Sequence, residues 1–261
     1  VMLILNNLTH ATDIAKKIQE ASVTIKSSTS SGSGILFTRK DKDNTRTFVW
    51  TAGHCIDDLR STRDVIIKGD TKTVVEFGDA SIISEFYEDG RRIGEIKLDA
   101  RVIRYSDADN GEDLALLEIR KKNFVPLDNS IEFASETPPV GTDLYHVGSL
   151  LGQFGANSLT VGVVSQTGRV LSLGAHGKTF TQVTCTAFPG SSGGGVFLKE
   201  NGKCIGILVR GARGSEQFNF VVPVERIKAW AKRTKVEWAM NKEIEIPENI
   251  FEVPIEFNDE P

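Results

Sequence analysis

The run Phe188-Pro189-Gly190-Ser191-Ser192-Gly193-Gly194-Gly195 places two hydroxyls among four glycines. Glycine admits backbone conformations that a Cβ forbids, and it lets another segment approach closely. A nucleophilic serine needs both properties: a sharp turn that presents Oγ, and bare N–H groups aimed at a developing oxyanion. Read alone, the stretch is also what a flexible glycine-rich turn looks like. Two other stretches bear on that choice.

Thr51-Ala52-Gly53-His54-Cys55 follows directly on the apolar run Phe48-Val49-Trp50. A histidine just past the end of a strand, on small residues, sits where an imidazole can face a cleft. In Gly111-Glu112-Asp113-Leu114-Ala115-Leu116-Leu117 one aspartate opens a wholly apolar strand. A carboxylate there is pulled inward and then needs a hydrogen-bond donor, which an imidazole Nδ1–H supplies. Plainer readings exist: His54 as a satisfied core histidine, Asp113 as an ordinary turn residue. Asp57 and Asp58 compete with Asp113, but they lie close to His54 in sequence and lack a following apolar strand.

Taken together, the three stretches give the order His, Asp, Ser. That order belongs to the chymotrypsin arrangement, and subtilisins and α/β-hydrolases use others. Thr51-Ala52-Gly53-His54-Cys55 resembles the histidine motif of trypsin-like serine peptidases. Asp113-Leu114-Ala115-Leu116-Leu117 resembles their aspartate motif, and Gly190-Ser191-Ser192-Gly193-Gly194 their serine motif. Closer similarity is to the bacterial HtrA and glutamyl-endopeptidase branch. Pro189-Gly190-Ser191-Ser192-Gly193-Gly194 is similar to the HtrA serine loop, with serine where asparagine is usual. Leu159-Thr160-Val161-Gly162-Val163-Val164-Ser165, followed by Gly168-Arg169, resembles the HtrA strand that opens the second barrel. The resemblance spans residues 22 to 232.

The resemblance implies an all-β fold of two six-stranded antiparallel Greek-key barrels, with an N-terminal helix, a C-terminal helix and an acidic tail. It implies a serine endopeptidase (EC 3.4.21 class) in which Ser192 attacks, His54 takes the proton and Asp113 fixes the imidazole. The backbone N–H groups of Gly190 and Ser192 then form the oxyanion hole, and an acyl-enzyme is the intermediate. Ser192 is preferred to Ser191 because the nucleophile stands two residues after Gly190 in the motif. The alternative is a latent or inactive peptidase fold that binds peptides.

Carried over position by position, the substrate pocket has Thr186 near its base and Ala187-Phe188 on one wall. Val209-Arg210-Gly211 form the other wall and Asn219 the back. With no carboxylate at the base, and Leu208 where glutamyl endopeptidases place histidine, a small or medium apolar P1 residue is expected. Arg210, reaching into the cleft, would instead favour acidic residues. Trypsins carry an aspartate before the nucleophile that pairs with a new N-terminus; Ser191 fills that position here, so activation of that kind is not expected. Residues 236–261 leave no room for the PDZ domain of HtrA peptidases, so regulation by that route is not expected either.

The elements that must position these residues follow from pattern. The 261 residues include 31 Lys and Arg against 35 Asp and Glu, and the resulting net charge of −4 argues against a nucleic-acid partner. No apolar run reaches the length of a membrane span. Val1-Met2-Leu3-Ile4-Leu5 is too short for a signal h-region, and with unpaired cysteines this makes the cytoplasm the expected compartment, a periplasmic or secreted one staying open. No cysteine precedes Cys55 to bridge it in the manner of animal trypsins, and Cys55, Cys185 and Cys204 read as reduced thiols.

Residues 1–21 form an N-terminal helical extension, with Ala11, Ile14, Ala15, Ile18 and Ala21 on one face of a helix over 9–21. Short strands are expected at 22–28, 34–38, 47–51, 64–68, 73–77, 93–104 and 114–119, with a charged loop at 38–47, giving a first barrel over 22–134. The connector Ser135-Glu136-Thr137-Pro138-Pro139-Val140-Gly141 opens a second barrel over 135–222. Its strands are expected at 142–148, 157–166, 169–173, 178–185, 194–198, 204–210 and 217–222. A helix over 223–235 follows, burying Val224, Ile227, Trp230 and Ala231. In 237–261 eight acidic residues oppose one lysine, interleaved with Ile244, Ile246, Ile250, Phe251, Val253, Ile255 and Phe257. An extended tail lying over the barrels is expected, with addition to a strand edge as the sharper version. The expected partners are a protein or peptide substrate and an activating partner or second subunit at the N-terminal helix or the tail. No cofactor and no metal are expected.

Overall fold

Phe48, Val49 and Trp50 are consecutive and all fully buried, although a strand alternates its side chains between two faces. Both faces of this strand are covered. The computed structural model, which describes residues 13–89, 91–125, 130–171, 177–212 and 214–256, shows what covers them.

The helix α1 (residues 13–20) leads into β1 (Ser22–Lys26), β2 (Ser31–Asp41) and β3 (Asn44–Thr51). A hairpin of β4 (Arg60–Ile67) and β5 (Asp70–Phe77) comes next, followed by β6 (Ala80–Glu88), β7 (Arg91–Ser106) and β8 (Leu114–Ile119). The antiparallel order β1-β2-β3-β8-β7-β6 closes a six-stranded barrel, and β4 with β5 forms a separate two-stranded sheet. The second barrel comprises β9 (Asp143–Leu150), β10 (Gly155–Val170), β11 (Thr179–Val183), β12 (Gly195–Leu198), β13 (Cys204–Gly211) and β14 (Asn219–Pro223). It closes in the order β10-β11-β14-β13-β12-β9. Its interior is a compact set of Leu144, Val164, Val183, Val196, Ile205 and Val221. The helix α2 (Val224–Arg233) then buries Val224, Ile227, Trp230 and Ala231, the face its apolar spacing specifies.

Trp230 and the tail supply the outer cover of β3. The Trp50 and Trp230 rings meet edge-to-face at 5.8 Å, Phe48 and Trp238 at 4.7 Å, and Trp50 Nε1 donates to the Ala239 carbonyl at 2.8 Å. Arg39 on β2 donates to the carbonyls of Trp238, Asn241, Lys242 and Ile244. Further along, Arg104 donates to Ile250 O at 3.1 Å, Tyr105 N donates to Ile255 O at 2.9 Å, and Tyr105 bridges Glu256 in parallel. The tail therefore lies over the first barrel and adds one bridge to β7. Phe257 lies outside the described residues. Ile14 and Ile18 of α1 and Ala21 just after it are buried, with Ile14 and Ile18 over Gly202 of the second barrel; Ala11 lies outside the described residues. All three cysteines are free and buried.

Several expectations need correction. Residues 64–67 and 73–77 are strand but stand outside the barrel, Lys68 is in the turn between them, and β6 takes the place given to them. In β6 the adjacent Ile82 and Ile83 are both buried, which hides the two-residue period. Residues 38–47 are paired strand through Arg39↔Arg46 and Asp41↔Asn44, so the charged loop shrinks to a turn at Lys42-Asp43. The expected strands 157–166 and 169–173 run together in β10, which ends at Val170 and whose register shifts twice against β11 around Gly168; residues 172 and 173 lie outside the described residues. A bulge at a left-handed glycine (φ 67°) reads in sequence as a turn.

Candidate active site

His54 sits in a single 3-10 turn (Gly53–Cys55) at the end of β3, and Asp113 stands one residue before β8. Because β3 and β8 are paired neighbours, with Thr51 opposite Ala115, the two side chains arrive at the same rim. His54 Nδ1 lies 2.9 Å from Asp113 Oδ1 and 3.0 Å from Oδ2, and the His54 backbone N–H donates to Oδ1 at 3.0 Å. Asp113 is buried and takes a left-handed backbone (φ 55°), which aspartate tolerates better than most residues. Its carboxylate accepts from one residue through two donors, so the ring is fixed in both position and tautomer.

Burial of His54 disfavours its charge, but the hydrogen bond and charge of Asp113, helped by Asp57, outweigh it and raise the imidazole pKa. Asp57 does not bond to His54; it accepts the Tyr105 hydroxyl. Asp58 caps the Thr29 backbone N–H at 2.5 Å, away from the imidazole.

The serine loop crosses from the second barrel to meet this pair. Ser192 lies on the wall of a cavity of about 360 Å³. Ser191 is fully buried and its Oγ accepts the Phe188 N–H at 3.1 Å, so that hydroxyl staples the loop. Gly190 (φ 95°) and Gly193 (φ 85°) are both left-handed, which is why glycine occupies these two places. Neighbouring N–H groups are engaged: Ser191 N with Phe188 O at 2.9 Å, Gly193 N with Leu208 O at 2.7 Å, Gly194 N with Ser191 O at 3.0 Å. Among the described residues the N–H groups of Gly190 and Ser192 donate to no protein acceptor. No hydrogen bond joins Ser192 Oγ to His54 among the described residues either.

Ser33, which sequence reasoning missed, ties the two barrels at this point. Its N–H donates to Ser192 O at 2.7 Å, its Oγ donates to Gly190 O at 2.6 Å, and the same Oγ accepts from Ser149 N at 2.7 Å. Nothing in a lone serine on β2 signals that role; it depends on how the barrels pack. Glu112, next to Asp113, makes a second tie. It holds Arg226 at 2.6 Å, Arg233 at 3.1 Å and Lys178 at 3.2 Å, and these cations keep its carboxyl low despite burial. Cys55 Sγ donates to Ser192 O at 3.3 Å, and burial pushes its thiol up to about 12.

The cavity is lined by Ala187, Phe188, Val209, Arg210, Gly211 and Asn219, all expected there, and also by Pro189, Ala212 and Glu216. Thr186 does not line it; its carbonyl accepts the Thr160 hydroxyl at 2.8 Å. Asn219 donates through Nδ2 to Cys185 O at 2.8 Å and Glu216 O at 2.7 Å, so it braces the walls. Arg210 donates to Ala108 O at 2.9 Å, across to the first barrel.

The trypsin-like peptidase domain family matches residues 32–207, about two-thirds of the chain. The chain belongs to that family. No curated protein sequence matches it. Among solved structures, this trypsin-like peptidase is similar to the HtrA-type protease AlgW with tripeptide, at 18% identity and a TM-score of 0.59 over 88% of this chain and 64% of that one. It is similar to the serine endoprotease from Yersinia pestis at 19% identity and a TM-score of 0.59, over 88% of this chain and 66% of that one. It is also similar to Rv3671c from M. tuberculosis in its inactive form, at 17% identity and a TM-score of 0.58, over 84% and 89% of the two chains. At these identities the likeness is one of fold, and the chain spans less than two-thirds of the length of the first two.

Proposed function

We propose that the chain is a serine endopeptidase using His54, Asp113 and Ser192. The observation that carries this reading is the His54 Nδ1 contact with both oxygens of buried Asp113, in the turn whose Cys55 Sγ donates to Ser192 O. With Nδ1–H committed to Asp113, Nε2 is the lone-pair nitrogen and serves as general base. Ser192 Oγ attacks the scissile carbonyl, its proton passes to His54 Nε2, and the oxyanion takes the free N–H groups of Gly190 and Ser192. Collapse expels the amine, which leaves with that proton, and gives an acyl-enzyme on Ser192. Water, deprotonated by the same imidazole, releases the acid and restores the serine.

The cavity beside Ser192 is the site for the P1 side chain. Ala187, Phe188 and Val209 line it beside Arg210 and Glu216, the Arg210 guanidinium donates to Ala108 O, and Asn219 directs its amide donors to the protein itself, which supports a small or medium apolar P1 residue. Digestion of an unfolded protein, with new N-termini mapped by mass spectrometry, checks both parts. Cleavage should follow Ala, Val or Leu, vanish in Ser192→Ala, and fall about 10⁴-fold in kcat for Asp113→Asn, which keeps the shape but loses the tautomer control. Cleavage that survives Ser192→Ala refutes the assignment.

A second reading, a latent peptidase that holds peptides without cutting them, is favoured by the missing hydrogen bond between Ser192 Oγ and His54. Such bonds often tighten only when substrate binds. Latency requires that peptides bind the cavity with no turnover even at high concentration.

A further inference from the structure

We infer that Gln153, on the β9–β10 turn, is a positioning residue that orients the oxyanion-binding N–H of Gly190. The inference rests on the peptidase reading above. The peptide joining Pro189 to Gly190 is planar, so its C=O and N–H point in opposite directions. Leu151 N–H donates to Pro189 O at 2.8 Å, and fixing that oxygen on one side fixes the Gly190 N–H on the other. The turn sits flush against the loop: a Cβ at Gly190 would lie 2.6 Å from Gly152 N.

The turn has little apolar packing to hold it there. Leu151 is left-handed (φ 59°), an unfavourable conformation for a branched side chain, and it is 58% exposed. Phe154 is 94% exposed. Beyond the Gly155–Leu150 pairing at its base, what ties the turn to the first barrel is the Gln153 amide. Its Oε1 accepts Lys26 Nζ at 2.7 Å, and its Nε2 donates to Glu95 Oε2 at 2.6 Å. Both partners are charged, so both bonds are of the stronger kind. Lys26 ends β1 and Glu95 lies on β7, so one side chain of the second barrel clasps the first. Glu95 is held in turn by Arg92 at 2.5 Å. The strained Leu151 conformation, and with it the direction of the Gly190 N–H, is thereby set by the relation between the barrels.

The test uses the full chain as Gln153→Met, Gln153→Lys and the double variant Gln153→Lys, Lys26→Glu. Met keeps the length without either bond; Lys keeps a donor toward Glu95 but is repelled by Lys26, and an acidic residue 26 restores that second contact. Three readouts are taken: kcat and KM on a peptide ester, melting temperature, and the Gly190 amide resonance in ¹⁵N-glycine protein. Loss of one oxyanion donor costs on the order of 10²–10³ in rate, so a misdirected donor should lower kcat about tenfold or more. KM and melting temperature should hardly move, the Gly190 resonance should shift, and the double variant should recover both kcat and resonance. A Gln153→Met protein with wild-type kcat and an unmoved Gly190 resonance overturns the inference. Wild type that turns over no ester refutes the peptidase reading instead, and the Gly190 resonance still reports on the clasp: a shift in Gln153→Met supports it, and none overturns it.

Discussion

Two histidines show how one residue type takes opposite roles in this molecule. His54 stands at the rim, and its pKa is raised because the neighbouring carboxylates outweigh burial. A general base must be neutral, so the acid limb of kcat/KM should lie above the ordinary histidine value of about 6.5. Asp57→Asn removes one of the charges that hold the imidazole up. That limb should then move to lower pH, and a pH profile of the two proteins checks the direction. The raised value also means that charged His54 stabilises the fold below its unfolded pKa, a contribution lost as pH rises through the folded one. His146 does the reverse. It is fully buried under the serine loop, its Nδ1 donates to Gly195 O at 3.0 Å, its Nε2 finds no partner among the described residues, and burial pushes it down to about 4. The unfolded chain therefore binds a proton there at pH values where the fold does not. Stability should fall between about pH 6.5 and 4, by at most about 3 kcal/mol from this residue. Urea melts at pH 7 and pH 4.5 should show a smaller drop in His146→Gln than in wild type.

At the scale of elements, the C-terminal segment is a structural layer of the first barrel. Arg39, buried and held by four carbonyls of residues 238–244, is its main fastening, and burial lowers its pKa because no carboxylate compensates. Arg39→Ala would strand those carbonyls and uncover Trp238. The expected cost is about 2–4 kcal/mol, as for losing several hydrogen bonds to a charged donor, read as a lower urea midpoint. Unchanged stability would show that the tail lies on the barrel without holding it. Sequence conveyed this segment only in part. The alternation of Ile and Glu in 243–246 suggests an extended chain, whereas its main fastening is an arginine on a strand that reads as a charged loop. The barrel strands were legible where apolar runs are bounded by turn residues, as at Leu114–Ile119. They were not legible where the constraint is shape: β6, with paired isoleucines facing two layers, and β10, bent at Gly168.

At the scale of the whole molecule, the candidate site exists only where the barrels meet. His54 and Asp113 come from the first, Ser192 and its glycines from the second, and Ser33, Glu112 and Gln153 hold the two in register. The three motif stretches were legible because their chemistry demands particular residue types: an acid before an apolar strand, an imidazole on small residues, a serine among glycines. The ties were not, since a serine, a glutamate and a glutamine become informative only after two barrels have closed and packed. The same division applies to Thr186, expected near the base of the pocket. Its position along β11 and the loop beyond was readable, but the direction of its carbonyl toward Thr160 was not.

The most direct measurement is labelling of the folded protein with a fluorophosphonate, which reacts with a serine only when a base and an oxyanion hole act on it together. Mass spectrometry of the labelled peptide locates the site. The expected result is stoichiometric label on Ser192, absent in His54→Ala and in denatured protein. Label on another residue, or none on folded wild type even with peptide bound in the cavity, would contradict a catalytic His54-Asp113-Ser192 set.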